Sequence, residues 1–275
     1  MKKYCFVLLL AALSTVSLMA QSSNRWKLSL GGAIPVGYFP TMWYDENTLE
    51  TRCGLFEGGE SAYYGGAEFG ISLGAEMMHP LNERLDFTIS ADIHCNGLNG
   101  KAKSFTIGVG NYLASSLEQQ AIRDGSTSVT STCSVDANPI YINVPVLAGV
   151  SYSFPLSNGM KLFGEAGVGM NFSVITPLKY TARMDYLYRG TNYKLTIEEK
   201  FSYSSTFALA FRVGVGFAFT EKLSVSADYY YLGKKDIFAT LQAQSTERGA
   251  QPNVQEMDLG TVTPMLLTVR LGYTF

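Results

Sequence analysis

The chain has little of what marks several common classes of protein. Long apolar runs occur only at the extreme N-terminus, whereas a helical membrane protein needs stretches of about 20 apolar residues. Charged residues make up 16% of the chain and the formal net charge is −2. Nucleic-acid binding, which normally needs a strong basic excess, is therefore not expected. The two histidines and four cysteines match no metal-ligand spacing, and we predict no metal and no cofactor.

The apolar N-terminus has the layout of a signal peptide. Lys2 and Lys3 precede an apolar core that runs to Leu18, and Ala20 offers a cleavage site before Gln21. Residues 1–20 are therefore predicted to be a signal peptide and residues 21–275 a single domain. An uncleaved membrane anchor is the alternative.

Export would place three cysteines, Cys53, Cys95 and Cys133, in an oxidising compartment. Three cysteines allow one disulfide bridge with one thiol left over. Cys53–Cys133 and Cys95–Cys133 are the candidate pairs, because all three residues fall in or beside predicted loops. Three unpaired thiols are the alternative.

Alternation of large apolar with small or polar residues dominates the rest of the chain. Such a period of two predicts β-strands, because successive side chains point to opposite faces. Eight segments show it, at about 26–34, 67–77, 85–93, 140–154, 162–172, 207–219, 223–231 and 265–275. The sequence therefore predicts eight strands.

The connections between these strands alternate strictly in length. Short turns are predicted at 80–84, 155–159 and 220–222, and long loops at 37–65, 96–138, 177–203 and 233–262. Bacterial outer-membrane barrels have this asymmetry, with short periplasmic turns and longer extracellular loops. Within the loops, the sequence predicts a helix over Ser116–Arg123, irregular structure over Ser126–Ser134, and a hairpin around Arg189-Gly190.

The distribution of side-chain size separates a membrane barrel from a soluble one. In nearly every strand the large apolar residues share one face, while the other face carries Gly, Ala, Ser, Thr and scattered charges. A soluble barrel would have to crowd the large residues into its narrow interior. We therefore predict an all-β, eight-stranded, antiparallel, up-and-down transmembrane β-barrel in contact with outer-membrane lipid, with every backbone group paired by closure.

The C-terminal segment resembles the terminal strand by which outer-membrane barrels are recognised for assembly. Leu271, Tyr273 and Phe275 alternate up to the last residue. We interpret these three residues as an assembly signal, which makes the barrel-assembly machinery a predicted partner.

At the level of pattern, the sequence from Trp26 to Phe275 resembles the small porin-like outer-membrane β-barrel family of OmpA/OmpX type. The segment Tyr141-Ile142-Asn143-Val144-Pro145-Val146 resembles a strand motif frequent in that family. The resemblance implies a barrel in the cell outer membrane of a Gram-negative bacterium. No peptidoglycan-binding domain follows the last strand, so cell-wall anchoring is not implied.

Charged residues on the inward face are the first candidate site. Glu165, Arg212, Asp228 and Arg270 lie on predicted neighbouring strands, and charges away from water must pair. They are predicted to form a salt-bridged plug, because side chains can fill an eight-stranded barrel. A charge-selective constriction is the alternative. His94, with Asp92, is read as a solvated histidine at the barrel mouth, and no catalytic residue is predicted.

Aromatic residues in the loops are the second candidate site. Exposed aromatic surface often marks recognition, although loop packing would also explain it. The candidates are Trp43, Tyr44, Phe56, Tyr180, Tyr186 and Tyr188. The leading hypothesis is a structural or surface-binding barrel with a largely plugged lumen and an unknown extracellular ligand. A narrow passive channel and a barrel enzyme acting on lipid or peptide are the alternatives.

Overall fold

The structure, a computed structural model, describes residues 24–40, 66–156, 159–245 and 253–275. The predicted signal peptide and the candidate residues Trp43, Tyr44, Cys53 and Phe56 lie outside these ranges. The described residues form β1 (Arg25–Pro35), β2 (Ala67–Pro80), β3 (Leu85–Leu98), α1 (Gly100–Arg123), β4 (Thr127–Ala137), β5 (Tyr141–Pro155), β6 (Lys161–Ile175), β7 (Leu178–Tyr188), β8 (Thr191–Tyr203), β9 (Thr206–Ala218), β10 (Leu223–Tyr231), β11 (Lys235–Ser245), β12 (Asn253–Val262) and β13 (Met265–Thr274).

Eight of the strands close into an antiparallel barrel in the order β1-β13-β10-β9-β6-β5-β3-β2. The first and last barrel strands pair directly, with Leu30 opposite Leu271, so the barrel has no free edge. These are the eight strands that the alternation predicts, and the fold class is confirmed. We call the end with the β2–β3, β5–β6 and β9–β10 connections the turn end, and the opposite end the loop end.

The two faces of the barrel wall differ as the alternation predicts. Outward residues such as Leu30, Val215 and Leu271 are each about 60% exposed, so the outer surface presents an apolar belt to a bilayer. Inward positions between them hold glycine, serine and charged residues that are almost completely buried. Among the described residues, no helix has the length and hydropathy needed to cross a membrane.

Beyond the loop end, the long connections are folded. Five strands form a second antiparallel sheet in the order β12-β11-β8-β7-β4, which we call the distal sheet. Helix α1 packs on β4 and β7. The sheet leaves two edges, β4 and β12, because it does not close.

One prediction within the loops was wrong and another was right only in part. Segment 126–134, expected to be irregular because it is rich in Ser and Thr, is mostly β4, which pairs with β7 through positions such as Cys133↔Ala182. The helix expected over Ser116–Arg123 is present and ends at Arg123 as predicted, but it begins sixteen residues earlier, at Gly100. Asn99 caps it by accepting a hydrogen bond from the Ala102 backbone N–H at 3.0 Å, and the helix packs on β4 and β7.

The hairpin around Arg189-Gly190 is present as β7 and β8. Arg189 and Gly190 have φ values of 50° and 81°, which a two-residue type I′ turn requires at both positions. The sequence predicts that this hairpin continues β6 and β9. In the structure it belongs to the distal sheet instead. The hairpin of β11 and β12 in the fourth loop was not predicted.

Of the candidate disulfides, Cys95–Cys133 is wrong. Cys95 lies in barrel strand β3 and Cys133 in the distal strand β4, and no bridge joins them. The other pair includes Cys53, which lies outside the described residues.

Candidate functional site

The structure brings the four predicted inward charges together in the barrel interior. Arg270 donates to Asp228 Oδ2 through Nη2 at 2.9 Å and through Nε at 3.1 Å. The Arg212 guanidinium lies 3.3 Å from a Glu165 carboxylate oxygen. All four side chains are at most 2% exposed, so each charge depends on its partner for stabilisation.

Three further residues that the candidate set omitted complete the cluster. Lys27 Nζ lies 2.8 Å from Glu76 and 2.6 Å from Glu165, and Arg212 also donates to Glu76. Arg270 Nη1 donates to Asp92 at 2.6 Å. Lys27 and Glu76 are direct cross-strand neighbours of β1 and β2, so pairing the two inward faces would have found them.

We call these seven residues the lumen network: Lys27, Glu76, Asp92, Glu165, Arg212, Asp228 and Arg270. Seven of the eight barrel strands supply one member each, and only β5 supplies none. Three cations and four carboxylates therefore cross the bore from wall to wall. Such an arrangement links strands that are not neighbours in the barrel.

Gly74 makes room for part of this network. A Cβ atom built on Gly74 would lie 2.2 Å from Asp92 Oδ1 and 2.8 Å from Arg270 Nη1. Gly164, also in a barrel strand, would meet only a carbonyl oxygen at 3.9 Å. Comparing alanine substitutions at Gly74 and Gly164 therefore separates the crowding of Asp92 and Arg270 from the general effect of adding a methyl group to a glycine in a strand.

We expect Gly74→Ala to lower the free energy of unfolding by about 1–3 kcal/mol through overpacking. Gly164→Ala should change it by much less. Urea unfolding of the detergent-refolded chain, followed by heat-modifiable gel mobility, measures both. Equal effects of the two substitutions would show that the Asp92–Arg270 contact does not need this space.

Above the network, the loop end of the bore is filled by an apolar cluster that we call the apolar cap. Its buried members are Ala33, Phe39, Ala67, Leu147, Ala210, Tyr230, Leu232, Ile237, Val262 and Leu266. Tyr230 joins the cap to the lumen network, because its hydroxyl donates to Asp92 Oδ2 at 3.0 Å. Charged side chains thus lie across the middle of the bore and mainly apolar side chains lie across its loop end.

His94 lies below this cap. The prediction that it is a solvated histidine at the barrel mouth is therefore wrong. The residue is fully buried and its ring packs edge-on against Tyr230, with 4.6 Å between the ring centroids. Neither ring nitrogen has a hydrogen-bond partner in the structure. Burial beneath the cap separates His94 from any substrate at the surface.

The loop aromatics fall into two groups. Tyr180 is buried beneath α1, where its ring lies 3.3 Å from a Cβ built on Gly110. Tyr186 and Tyr193 stack face to face at the end of the β7–β8 hairpin, with ring centroids 5.4 Å apart. Tyr188 packs on Tyr193. We call Tyr186, Tyr188 and Tyr193 the tyrosine tip.

The terminal strand lies with its aromatic side chains outward. Leu271, Tyr273 and Phe275 are all exposed on the outer surface of the barrel. The Phe275 backbone N–H donates to the Trp26 carbonyl at 2.8 Å, so the last residue still takes part in closing the barrel. The Tyr273 and Phe275 rings contact each other, with 5.0 Å between their centroids.

Comparison with known proteins gives one family match and several structural neighbours. Residues 6–275 match the family described as outer membrane protein beta-barrel domain. No curated protein matches the sequence. The solved structures that are similar include Ail of Yersinia pestis, with 11% identity over 92% of this chain and 100% of that chain (TM-score 0.35). OprG of Pseudomonas aeruginosa shows 10% identity over 92% and 95% (TM-score 0.37), and a major outer membrane protein of Thermus thermophilus shows 11% over 92% and 100% (TM-score 0.40).

Proposed function

Because the chain belongs to the outer membrane protein beta-barrel domain family, we propose that it is a closed outer-membrane barrel whose task is binding at the cell surface. Its place is the outer membrane. The proposal is supported by the contrast between a bore crossed by salt bridges and an apolar cluster and long connections that fold into a sheet with a helix packed on it. No enzymatic step is part of the proposal.

Closure of the bore argues against solute passage. An ion crossing the barrel would have to separate salt bridges such as Arg270–Asp92, in which both side chains are at most 2% exposed. It would then have to pass the apolar cap, whose buried side chains are hydrocarbon apart from the Tyr230 hydroxyl and so replace little of its hydration shell. Side chains can fill a barrel of eight strands completely.

The distal sheet supports the binding role. Its longest hairpin has strands of 11 and 13 residues, so the hairpin itself is roughly 35–40 Å long at about 3.3 Å per residue. In an outer membrane, with the short turns on the periplasmic side, this places the tyrosine tip outside the cell. Helix α1 makes the sheet a folded support rather than a set of independent loops.

The tyrosine tip is the proposed contact surface. Stacked tyrosines hold a rigid, amphipathic surface at a low cost in side-chain entropy. Tyr193 is 44% exposed, and the Arg189 guanidinium lies 5.2 Å from the centroid of the Tyr188 ring. Aromatic and arginine side chains are the residues that most often dominate binding energy at interfaces.

Planar-bilayer recording of the refolded chain tests closure. We expect no stable conductance steps under conditions in which a general diffusion porin gives them. Discrete steps that Arg212→Ala or Asp228→Ala abolishes would contradict the plug and would favour the narrow-channel alternative.

Adhesion of bacteria that express the chain tests the binding role separately. Binding to glass, mucin and an epithelial monolayer is compared with that of cells lacking the protein. We expect cells that express the chain to adhere more than cells that lack it. Tyr186→Ala combined with Tyr193→Ala should remove this increase in adhesion. Phe238→Ala, which alters an aromatic residue 52% exposed elsewhere on the distal sheet, should leave it unchanged. Absence of any increase with the wild-type chain would contradict the role.

We also propose that Leu271, Tyr273 and Phe275 are read by the barrel-assembly machinery. Deletion of Phe275 should reduce the amount of folded protein in the outer membrane several-fold. The measure is the heat-modifiable, protease-protected band in membrane fractions, with Phe219→Ala, an exposed aromatic at the same end, as the control. Normal levels of folded protein after the deletion of Phe275 would contradict the proposed role of these residues in assembly.

A further inference from the structure

Lys235 is a buried lysine where the chain passes from the barrel to the distal sheet. It is the first residue of β11, pairs with Val262 of β12, and is 5% exposed. We call residues 235–238 the hairpin root. The register of β11 with β8 begins at Ala239, beyond the root, and the chain enters the root through Gly233, which has a φ of 83°. Side-chain contacts, with Lys235 among them, therefore link the root to the barrel.

The Lys235 amine lies in a crowded cluster of neutral polar groups on the inward faces of β5 and β6. Its Nζ lies 2.9 Å from Asn143 Oδ1 and also contacts Ser173 Oγ. Asn171 Nδ2 donates to the same two oxygens, each at 3.1 Å. The Ser173 hydroxyl donates to Asn143 Oδ1 as well. Three donors thus converge on one amide oxygen, which has two lone pairs.

This excess of donors favours an uncharged amine. A protonated amine has three N–H donors and no acceptor, so it competes with the Ser173 hydroxyl for Asn143 Oδ1. A neutral amine has a lone pair that can accept the Ser173 proton. Asn143 Oδ1 then meets two donors, one from Asn171 and one from Lys235, and each group in the cluster has a partner.

The surroundings of Lys235 also disfavour a charge. Each of Lys27, Arg212 and Arg270 lies within 4 Å of at least two carboxylates, whereas in the described part of the chain no ion pair includes Lys235. The cleft beside the amine has room for about one water molecule, too little to hydrate an ammonium group in place. Burial accordingly lowers the pKa of Lys235 to about 7.

We propose that Lys235 is a pH-sensitive latch that holds the hairpin root on the barrel as an uncharged amine and releases it on protonation. The ammonium group gains its hydration shell only when the root moves away from β5 and β6. Val262 and Ile237, two residues beyond Lys235, belong to the apolar cap, so release of the root also loosens the cap. The latch concerns how the distal sheet is held and does not depend on what the tyrosine tip binds.

Other titratable groups near the amine must be separated from it. The cleft residues of β6, β9 and β12 carry hydroxyl groups or hydrocarbon. The remaining groups are Tyr141 of β5, which lines the cleft, His94 of β3, the cross-strand neighbour of Asn143, and the exposed chain neighbours Lys234 and Asp236. Comparison with a Lys235→Met variant isolates the contribution of Lys235 from all of these.

The sign of the effect follows from linkage. With the root closed, Lys235 loses its proton at about pH 7, whereas a hydrated lysine in the open root loses it at about pH 10.4. Between these values the open form binds more protons, so the closed form becomes less stable as the pH falls. The ratio of open to closed root should therefore rise by up to about tenfold for each pH unit down to pH 7, and level off below it.

Hydrogen exchange of the backbone amides of the root measures this ratio. The mature chain is refolded in detergent, and exchange on the millisecond scale is followed by mass spectrometry from pH 6 to 9. At each pH the wild type is compared with Lys235→Met, so the intrinsic pH dependence of exchange cancels. We expect the ratio of wild-type to variant exchange in the root to rise by up to about tenfold per unit from pH 9 to 7. Peptides from the barrel strands should show equal rates, and Lys234→Met should behave like the wild type.

A direct titration gives an independent measurement. In the chain labelled with ¹³C-lysine, the Lys235 signal, assigned by its loss in Lys235→Arg, should titrate near pH 7 and the Lys234 signal near the value for an exposed lysine. Lys235→Arg, which stays charged, should leave the root open at every pH. A Lys235 midpoint equal to that of Lys234, or exchange in the root that depends on pH equally in the wild type and Lys235→Met, would overturn the proposal.

Discussion

Replacing Arg212 by methionine should lower the free energy of unfolding by about 3–5 kcal/mol, the range for removing one partner of a buried ion pair. Arg212 contacts Glu76, Glu165 and, at 4.0 Å, Asp92. Methionine retains much of the side-chain volume but leaves these carboxylates facing Lys27 and Arg270 alone. The loss should therefore come from uncompensated negative charge rather than from a cavity.

Two matched variants separate these causes. Glu76→Gln added to Arg212→Met removes one of the stranded charges and should restore part of the stability, a coupling that a double-mutant cycle measures. Arg84→Met, at an exposed turn-end position, should change stability by less than about 0.5 kcal/mol. A loss below about 1 kcal/mol for Arg212→Met would mean that the lumen network contributes little to closing the barrel.

Val213→Arg should destabilise the barrel by about 2–4 kcal/mol, the cost of an arginine facing lipid at the bilayer midplane. Val213 lies near the centre of β9 and is 50% exposed on the outer surface. Leu209 lies nearer to the loop end of the same strand. An arginine there should cost less, because its side chain can reach the interface.

Depth is the variable that this comparison tests. Phe219→Arg, at the turn end just after β9, should cost only about 0–1 kcal/mol. Unfolding free energies of the three variants in lipid vesicles give the profile. A flat profile, with equal costs for Val213 and Phe219, would contradict the placement of this face against hydrocarbon.

The barrel could be predicted from sequence patterns because the requirement on each strand of its wall concerns neighbouring residues only. Each barrel strand must present hydrocarbon to lipid and small or polar groups to the bore, so every strand carries the same period of two. The distal strand β4 follows a weaker form of this rule, because its half-buried face includes Ser131 and small residues and its exposed face is rich in Ser and Thr. Its Ser- and Thr-rich sequence forms a strand because β7 pairs with it, and pairing partners are not visible in a local pattern.

The lumen network shows the same difference between what a local sequence pattern predicts and what depends on contacts between strands. Parity alone put Glu165, Arg212, Asp228 and Arg270 on the inward face. Which carboxylate each cation meets depends on the stagger between strands that are far apart in the sequence, as for Lys27 and Glu165, 138 residues apart. That stagger is a property of the closed barrel, so the contact of Lys27 with Glu165 could not be predicted, whereas Lys27 and Glu76 are cross-strand neighbours that pairing β1 with β2 would have found.

By itself, then, the sequence determined the number of barrel strands, their outward faces and the alternation of short and long connections, because each depends on neighbouring residues in a two-sided wall. Only the tertiary structure decided that the loop strands join in one sheet, that α1 begins as early as Gly100, and that an apolar cluster occupies the loop end of the bore. Each of these depends on contacts between segments that closure of the barrel brings together, and the free energy of such contacts leaves no periodic trace along the chain.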